Sequence, residues 1–156
     1  LIQFNRDNAE SEMPYFAQEL FEMAQSKCDL SDEVYLTSLQ LSKEPAQAQG
    51  IDALIAEYQL DAFVAPSNGA AGQIDLENGD GSEGYIPSSS LAAVAGYPNI
   101  TIPAGFINGL PIGISFFGTA FSEPTLLAIA YDYEQRGQAR RAPTFLKSSV
   151  DTSNPR

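Results

Sequence analysis

The first 59 residues show the apolar periodicity of helices. One stripe recurs at three- and four-residue intervals and consists of Met13, Phe16, Ala17, Leu20, Phe21 and Ala24. Ser11 stands at the N-cap position of that predicted helix. A second helix should begin at Ser31, a kink or break should follow at Pro45, and a third helix should run over 51–58.

From residue 60 the pattern is that of strands. Residues 60–66 form a short apolar run that ends in proline, which is typical of a buried strand. Residues 67–87 are rich in glycine and predict a long surface loop. Residues 90–95 predict a short helix, which Gly96 should end in the left-handed conformation.

The next two apolar runs predict a β-hairpin. Residues 99–107 and 110–118 are joined by Asn108 and Gly109, a dipeptide that supplies the positive φ angles of a two-residue turn. The two strands should therefore pair antiparallel. A last helix should follow, with Ser122 as its cap.

These elements predict one domain over residues 1–156 of the α/β class, with a sheet flanked by helices on both faces. Residues 1–59 should be mainly helical, 60–137 should hold the strands, short helix, hairpin and final helix, and 138–156 should form a tail. Three strands are few for so many helices, so we expect partner strands from polypeptide outside this sequence.

Composition narrows the function. Eight basic and twenty acidic residues give a net charge of −12, which disfavours nucleic acid and membrane surfaces as partners. No histidine is present, which excludes Ser-His-Asp and Cys-His catalysis. The single cysteine, Cys28, cannot form an internal disulfide. The sequence begins at Leu1 and not at Met, so we expect a piece of a longer protein.

Two motifs look functional but have simpler explanations. Residues 79–84 match G-x-G-x-x-G, yet they are acidic and follow no predicted strand, so a flexible loop is the better interpretation. The loop carboxylates lack the spacing of a calcium site, so no metal is expected: they are Asp75, Glu77, Asp80 and Glu83. Ser115 lies within a predicted strand, where a nucleophile elbow cannot form.

Three consecutive serines, Ser88, Ser89 and Ser90, precede the short helix. Their hydroxyls should cap its first turn. The alternative is that they face a pocket at the end of the strands and position a polar, uncharged group.

The order and spacing of several blocks resemble the C-terminal third of amidase signature hydrolases. The blocks are 50–54 with 60–67, 88–98, 100–106 with 109–118, and 122–127. Residues 12–20 are similar to the peptide-amidase branch of that family. The resemblance implies a mixed β-sheet flanked by helices on both faces, and an enzyme that hydrolyses a carboxylic amide to acid and ammonia.

The resemblance also implies a serine nucleophile, a second serine in a cis peptide and a lysine that relays the proton, a system that needs no histidine. These groups belong to the family's N-terminal two-thirds, and neither the serine run 88–90 nor Lys27, Lys43 or Lys147 matches them. No catalytic residue, cofactor or metal is therefore assigned here, and the chain alone should be inactive. Substrate-binding roles are predicted for Ser67, Asn68, Ile86, Ser88 and Ser89.

The expected partners are the N-terminal two-thirds of the same amidase and a small-molecule or peptide amide, and the isolated chain should dimerise through unpaired strand edges. Two other functions stay open. One is a non-catalytic binding module that retains part of the amidase fold. The other is an acid-base hydrolase with paired carboxylates such as Asp75 and Asp80. Localisation is undecided between cytoplasm and periplasm.

Overall fold

A computed structural model describes residues 1–79, 85–86 and 88–145. The described residues group into two compact units. One contains residues 1–40 and 73–79, and the other contains residues 41–72 and the described residues from 85 onward.

Helices precede strands along the chain, with a further helix on each side of the hairpin. The helices are α1 (Ile2–Asp7), α2 (Ala9–Glu12), α3 (Glu19–Gln25), α4 (Glu33–Ala46), a π-helical turn (Gln47–Ile51), α5 (Asp52–Tyr58), α6 (Ser90–Ala95) and α7 (Glu123–Gly137). The strands are β1 (Phe63–Pro66), β2 (Asn99–Ile107) and β3 (Leu110–Phe117).

The helix predicted over the first apolar stripe is wrong at its N-terminal half. The helical segment α3 begins only at Glu19, and Ser11 lies inside α2 instead of capping a helix. Pro14 explains the difference, because it disfavours helical geometry at the preceding residue and cannot donate a backbone hydrogen bond. The stripe also finds little cover, since Phe16 is 56% and Leu20 73% exposed.

The unit of residues 1–40 and 73–79 is held by polar contacts. Asn5 donates from Nδ2 to Oε1 of Gln18 at 3.1 Å, and Gln18 donates from Nε2 to the Ile2 carbonyl at 3.1 Å. Asn5 and Gln18 are the buried residues of its described part. Arg6 forms an ion pair with Glu22 at 2.6 Å, and both side chains are about half exposed.

The second and third predicted helices are confirmed as one continuous helical path. The second begins at Glu33, two residues later than predicted, and Asp32 accepts a hydrogen bond from the Val34 N–H. The predicted kink at Pro45 is a π-helical turn, which commonly accommodates the hydrogen bond that proline cannot make. Gly50 fits this turn because a Cβ there would lie 2.5 Å from the Pro45 carbonyl oxygen.

The predicted hairpin is confirmed. β2 and β3 pair antiparallel, and Asn108 and Gly109 have φ angles of 50° and 82°. β1 pairs antiparallel with the other side of β3, so the order is β1-β3-β2. A β-bulge interrupts the β2 register between Pro103 and Gly105.

Helices pack on both faces of this sheet, which confirms the predicted α/β class, although the three described strands are all antiparallel. One face carries the buried cluster Ala46, Ile51, Ala92, Ala95 and Phe117, from α4 to α6 and β3. The other face carries Ile102, Phe116, Leu126 and Ala130, from β2, β3 and α7. Alternation along β3 produces this division, because Phe116 and Phe117 point to opposite faces.

The prediction of a buried strand over 60–66 is wrong in two respects. β1 begins at Phe63, and it lies at the edge of the described sheet. Its burial alternates, and Val64 is 59% exposed. An apolar run with this alternation is a half-buried edge strand, not a central one.

Helix ends agree with the sequence only in part. Gly96 ends α6 with a φ of 71°, as predicted. Ser122 and Ser89 occupy N-cap positions, but neither side chain caps its helix. The Ser122 hydroxyl donates to the Thr119 carbonyl instead. No helix among the described residues has the length and apolar character needed to cross a membrane.

Candidate functional site

Three hydroxyl groups meet at one end of the sheet, one from each strand or its end. Ser115 Oγ lies 2.7 Å from Ser67 Oγ and 2.7 Å from Thr101 Oγ1, and the two outer oxygens are 3.3 Å apart. We call Ser67, Thr101 and Ser115 the hydroxyl cluster. Ser115 is 2% exposed, whereas Ser67 is half-buried and Thr101 is exposed.

Strand register brings the cluster together. Thr101 and Ala65 both pair with Ser115 across β3. Ser67 follows two residues after Ala65 on the same face, and its N–H donates to the Gly113 carbonyl at 2.9 Å. The cluster therefore depends on pairings between residues far apart in the sequence.

The cluster can satisfy its own protons and still bind a ligand. A closed ring in which each hydroxyl donates once uses all three protons and leaves each oxygen a lone pair. Because Ser67 and Thr101 lie nearer the surface than Ser115, their lone pairs are open to an N–H from outside. The arrangement therefore suits a hydrogen-bond donor such as an amide nitrogen.

Gly113 provides the space for these hydroxyls. A Cβ at this position would lie 2.8 Å from Ser67 Oγ and 2.8 Å from Thr101 Cγ2, closer than van der Waals contact allows. A glycine inside a strand commonly marks such a close approach.

Gly113→Ala should therefore destabilise the chain by about 1–3 kcal/mol, because the added methyl group overpacks the site and separates Ser67 from Thr101. Gly72→Ala is the matched control, since a Cβ there meets no atom within 4 Å. The control should leave the free energy of unfolding unchanged or raise it by about 0.4–1 kcal/mol. Urea denaturation compares the two, and equal stability of both variants would contradict the steric account.

Hydrogen bonds tie the loop after β1 and the start of α6 to the cluster. The Ser88 hydroxyl donates to the Ser67 carbonyl at 2.8 Å. The Asn68 Oδ1 accepts from the backbone N–H groups of Gly69 at 2.8 Å and Ile86 at 3.0 Å. Both bonding partners of the Asn68 oxygen are thus fixed, and its Nδ2 amide makes no hydrogen bond within the described residues.

The structure brings together four of the five residues predicted to bind substrate, Ser67, Asn68, Ile86 and Ser88. Ser89 differs, because its side chain is exposed and makes no capping bond, and its carbonyl accepts from the Ala93 N–H at 2.9 Å. Substrate binding by all five stays a prediction.

Sequence reasoning missed Thr101, Ser115 and Gly113. Ser115 was interpreted as a core strand residue, and it is indeed buried in β3, but its hydroxyl links the other two. Gly113 within an apolar strand was the one local signal, since it implies a close neighbour.

Two polar contacts fix α6 beside α5 and the π-helical turn. The Tyr97 hydroxyl donates to Asp52 Oδ2 at 2.7 Å, and Gln47 Nε2 donates to the Ala95 carbonyl at 2.6 Å. The hydrogen bond to the Asp52 carboxylate raises the pKa of Tyr97 above its ordinary value, with burial and the carboxylate charge adding to the effect. These contacts hold the helix that follows Ser88.

No catalytic base lies beside the cluster in the described part of the chain. Neither Lys27 nor Lys43 bonds any of its hydroxyls, and Lys147 is outside the described residues. Histidine is absent from the sequence. The hydroxyl cluster thus has hydrogen-bonding capacity but no described group that would make a serine nucleophilic.

The acidic loop is a structural turn where it is described. Hydrogen bonds from the Asn78 side chain and from the backbone N–H groups of Asn78 and Glu77 lower the pKa of Asp75. A lowered pKa keeps Asp75 ionised, which disfavours a general-acid role. Most of the glycine motif, with Asp80 and Glu83, lies outside the described residues. Within residues 1–79, 85–86 and 88–145 no acidic or cysteine cluster could hold a metal ion.

Comparisons with known proteins identify relatives with one kind of activity. The chain is 36% identical over 148 residues to a protein named "probable amidase" of Arabidopsis thaliana, covering 94% of this chain. The native peptide amidase of Stenotrophomonas maltophilia is 44% identical over 92% of this chain, with a TM-score of 0.82. An amidase family protein of Bacillus anthracis is 32% identical over 92%, with a TM-score of 0.69. No family model matches the sequence.

These similarities confirm the predicted resemblance. The chain is a homologue of the amidase signature hydrolases and corresponds to the C-terminal part of their fold. It spans 25% of the length of the Arabidopsis protein and 28% of the peptide amidase.

Proposed function

We propose that residues 1–156 form one wall of the substrate pocket of an enzyme that hydrolyses a carboxylic amide to acid and ammonia. The observation that carries the proposal is a hydroxyl cluster without a neighbouring base, in a chain similar to amidases over more than nine-tenths of its length. The cluster can bind a polar group but has no described means to attack one.

The hydrogen-bonding groups match a peptide amide. The outer oxygens of Ser67 and Thr101 can accept N–H groups, and the Asn68 Nδ2 amide can donate to a carbonyl. A peptide backbone presents both kinds of group in alternation. The name of the Stenotrophomonas maltophilia relative, a peptide amidase, supports the same class of substrate.

The reacting groups are proposed to lie in other polypeptide of the same enzyme. By resemblance to the family, these are a serine nucleophile, a second serine and a lysine that relays protons between them and the leaving nitrogen. An oxyanion hole in that polypeptide would stabilise the tetrahedral intermediate. The present chain would hold the substrate's remaining polar groups in place during these steps.

Apolar surface supports a large protein partner. Val64, Leu91 and Leu127 are 59%, 56% and 59% exposed, on β1, α6 and α7 respectively. β1 and β2 are edge strands of the described sheet. Unpaired edges and exposed apolar side chains are stabilised when further strands and helices cover them.

Ser67→Ala tests the pocket assignment in a chimera in which residues 1–156 replace the matching segment of the Stenotrophomonas maltophilia peptide amidase. The variant should raise KM for a C-terminally amidated peptide about three- to tenfold, since one hydrogen bond is lost. Ammonia release at varied substrate concentration measures this. Thr125→Ala, an exposed change on α7 at the opposite face of the sheet, should leave KM unchanged. Equal KM values for both variants would refute the assignment.

A further inference from the structure

A second recess lies at the hairpin end of the sheet. It has a volume of about 720 Å³ and is enclosed by the ends of β2 and β3 on one side and by residues 140–144 on the other. Pro103, Phe106, Leu110 and Pro111 provide an apolar lining. Its size falls within the range of roughly 300–1,000 Å³ that is usual for small-molecule sites. We call it the hairpin cleft.

Two adjacent arginines line the same cleft. Arg140 and Arg141 form no ion pair with any described residue, whereas Arg6 and Arg136 are paired with Glu22 and Asp132. In a sequence with twenty acidic and eight basic residues, two neighbouring arginines without carboxylate partners are unusual. Their positive charge is therefore available to an anion from outside.

A ring contact orients one of these charges. The Arg141 guanidinium carbon lies 5.0 Å from the centroid of the Phe106 ring, a cation–π arrangement. Such stacking covers one face of the guanidinium and leaves its N–H edge free for a planar, two-point acceptor. A carboxylate fits that fork.

We propose that the hairpin cleft binds a small monocarboxylate with an aromatic or branched aliphatic body. The arginines bind the carboxylate, and the apolar lining with Phe106 receives the body. A single negative charge is favoured over a phosphate dianion because the net charge of −12 repels a second charge more strongly. This site lies away from the hydroxyl cluster and does not depend on the proposed amidase function.

Titration of the 156-residue chain with phenylacetate at low ionic strength tests the proposal, with NMR shifts at Phe106 and Leu110 as the readout of place. Neutral 2-phenylethanol should bind at least about tenfold more weakly, because it lacks the charge that the arginines pair. Inorganic phosphate should also bind more weakly than phenylacetate. Equal binding of phenylacetate and phenylethanol, or tighter binding of phosphate, would overturn the proposal.

Substitution then assigns the charges. The double variant Arg140→Gln and Arg141→Gln should weaken phenylacetate binding about tenfold or more. Arg136→Gln is the matched control, since that arginine already pairs with Asp132 and lies outside the cleft, and it should change affinity less than about twofold. Native-like affinity in the double variant, or shifts that map to Ser67 and Thr101 instead, would contradict the assignment. The comparison of the two native-chain ligands decides the question if the double variant does not fold.

Discussion

Leu126→Ala should destabilise the fold by about 3 kcal/mol, within the roughly 2.7–5 kcal/mol range of buried leucine truncations. Leu126 is 1% exposed and is the largest fully buried side chain in the described residues. It packs with Ile102, Phe116 and Ala130 between α7 and the sheet. Removing three methyl-bearing carbons leaves a cavity that these neighbours cannot fill, because strands and helix hold them in place.

Its neighbour Leu127 provides the control. Leu127 is 59% exposed on the outer side of α7, so Leu127→Ala should change the free energy of unfolding by less than about 0.5 kcal/mol. Urea denaturation followed by circular dichroism measures both variants. A chain that contains Leu126→Ala and no longer folds agrees with the expectation, whereas equal losses for the two leucines would show that α7 does not pack as described.

The 156-residue chain should release no ammonia above background from small carboxamides or from a C-terminally amidated peptide. A serine attacks an amide only when a base removes its proton, and no such base neighbours Ser67, Ser88 or Ser115 in the described residues. Loss of a nucleophile or its base lowers kcat on the order of 10⁶-fold in a serine hydrolase. The expected rate of the isolated chain is therefore below detection.

An ammonia-coupled assay on purified chain measures this rate. The matched control is the same preparation carrying Ser67→Ala, which reveals contaminating amidase because a contaminant is indifferent to the substitution. Turnover that survives repurification and disappears with Ser67→Ala would place the nucleophile within this chain and would refute the proposed division of roles.

The elements best predicted from sequence are those whose cause is local. Asn108 and Gly109 specify a tight turn by their own backbone preferences, and Gly96 ends α6 for the same reason. The apolar stripe from Met13 to Ala24 was less informative, because periodicity describes a face that needs a partner, and Pro14 opposes helix before it. Phe16 and Leu20 remain largely exposed.

The candidate site was predictable only from the side of the loops. Ser67, Asn68 and Ser88 stand beside strand and helix ends, where pockets commonly form, so the sequence suggests them directly. Thr101 and Ser115 lie inside strands, and their hydroxyls meet only through the register of β2 on β3. Register of this kind depends on pairing between distant residues, which hydrophobic pattern alone does not determine.

The most direct test of the central claim is ammonia release by the chimera in which residues 1–156 replace the matching segment of the Stenotrophomonas maltophilia peptide amidase. The account predicts hydrolysis of a C-terminally amidated peptide within about tenfold of the unmodified enzyme, since the transplanted wall would lose no more than one or two hydrogen bonds to substrate. The parent enzyme lacking the segment should be inactive. A chimera that folds but releases no ammonia would contradict the claim that this chain forms a working wall of an amidase pocket.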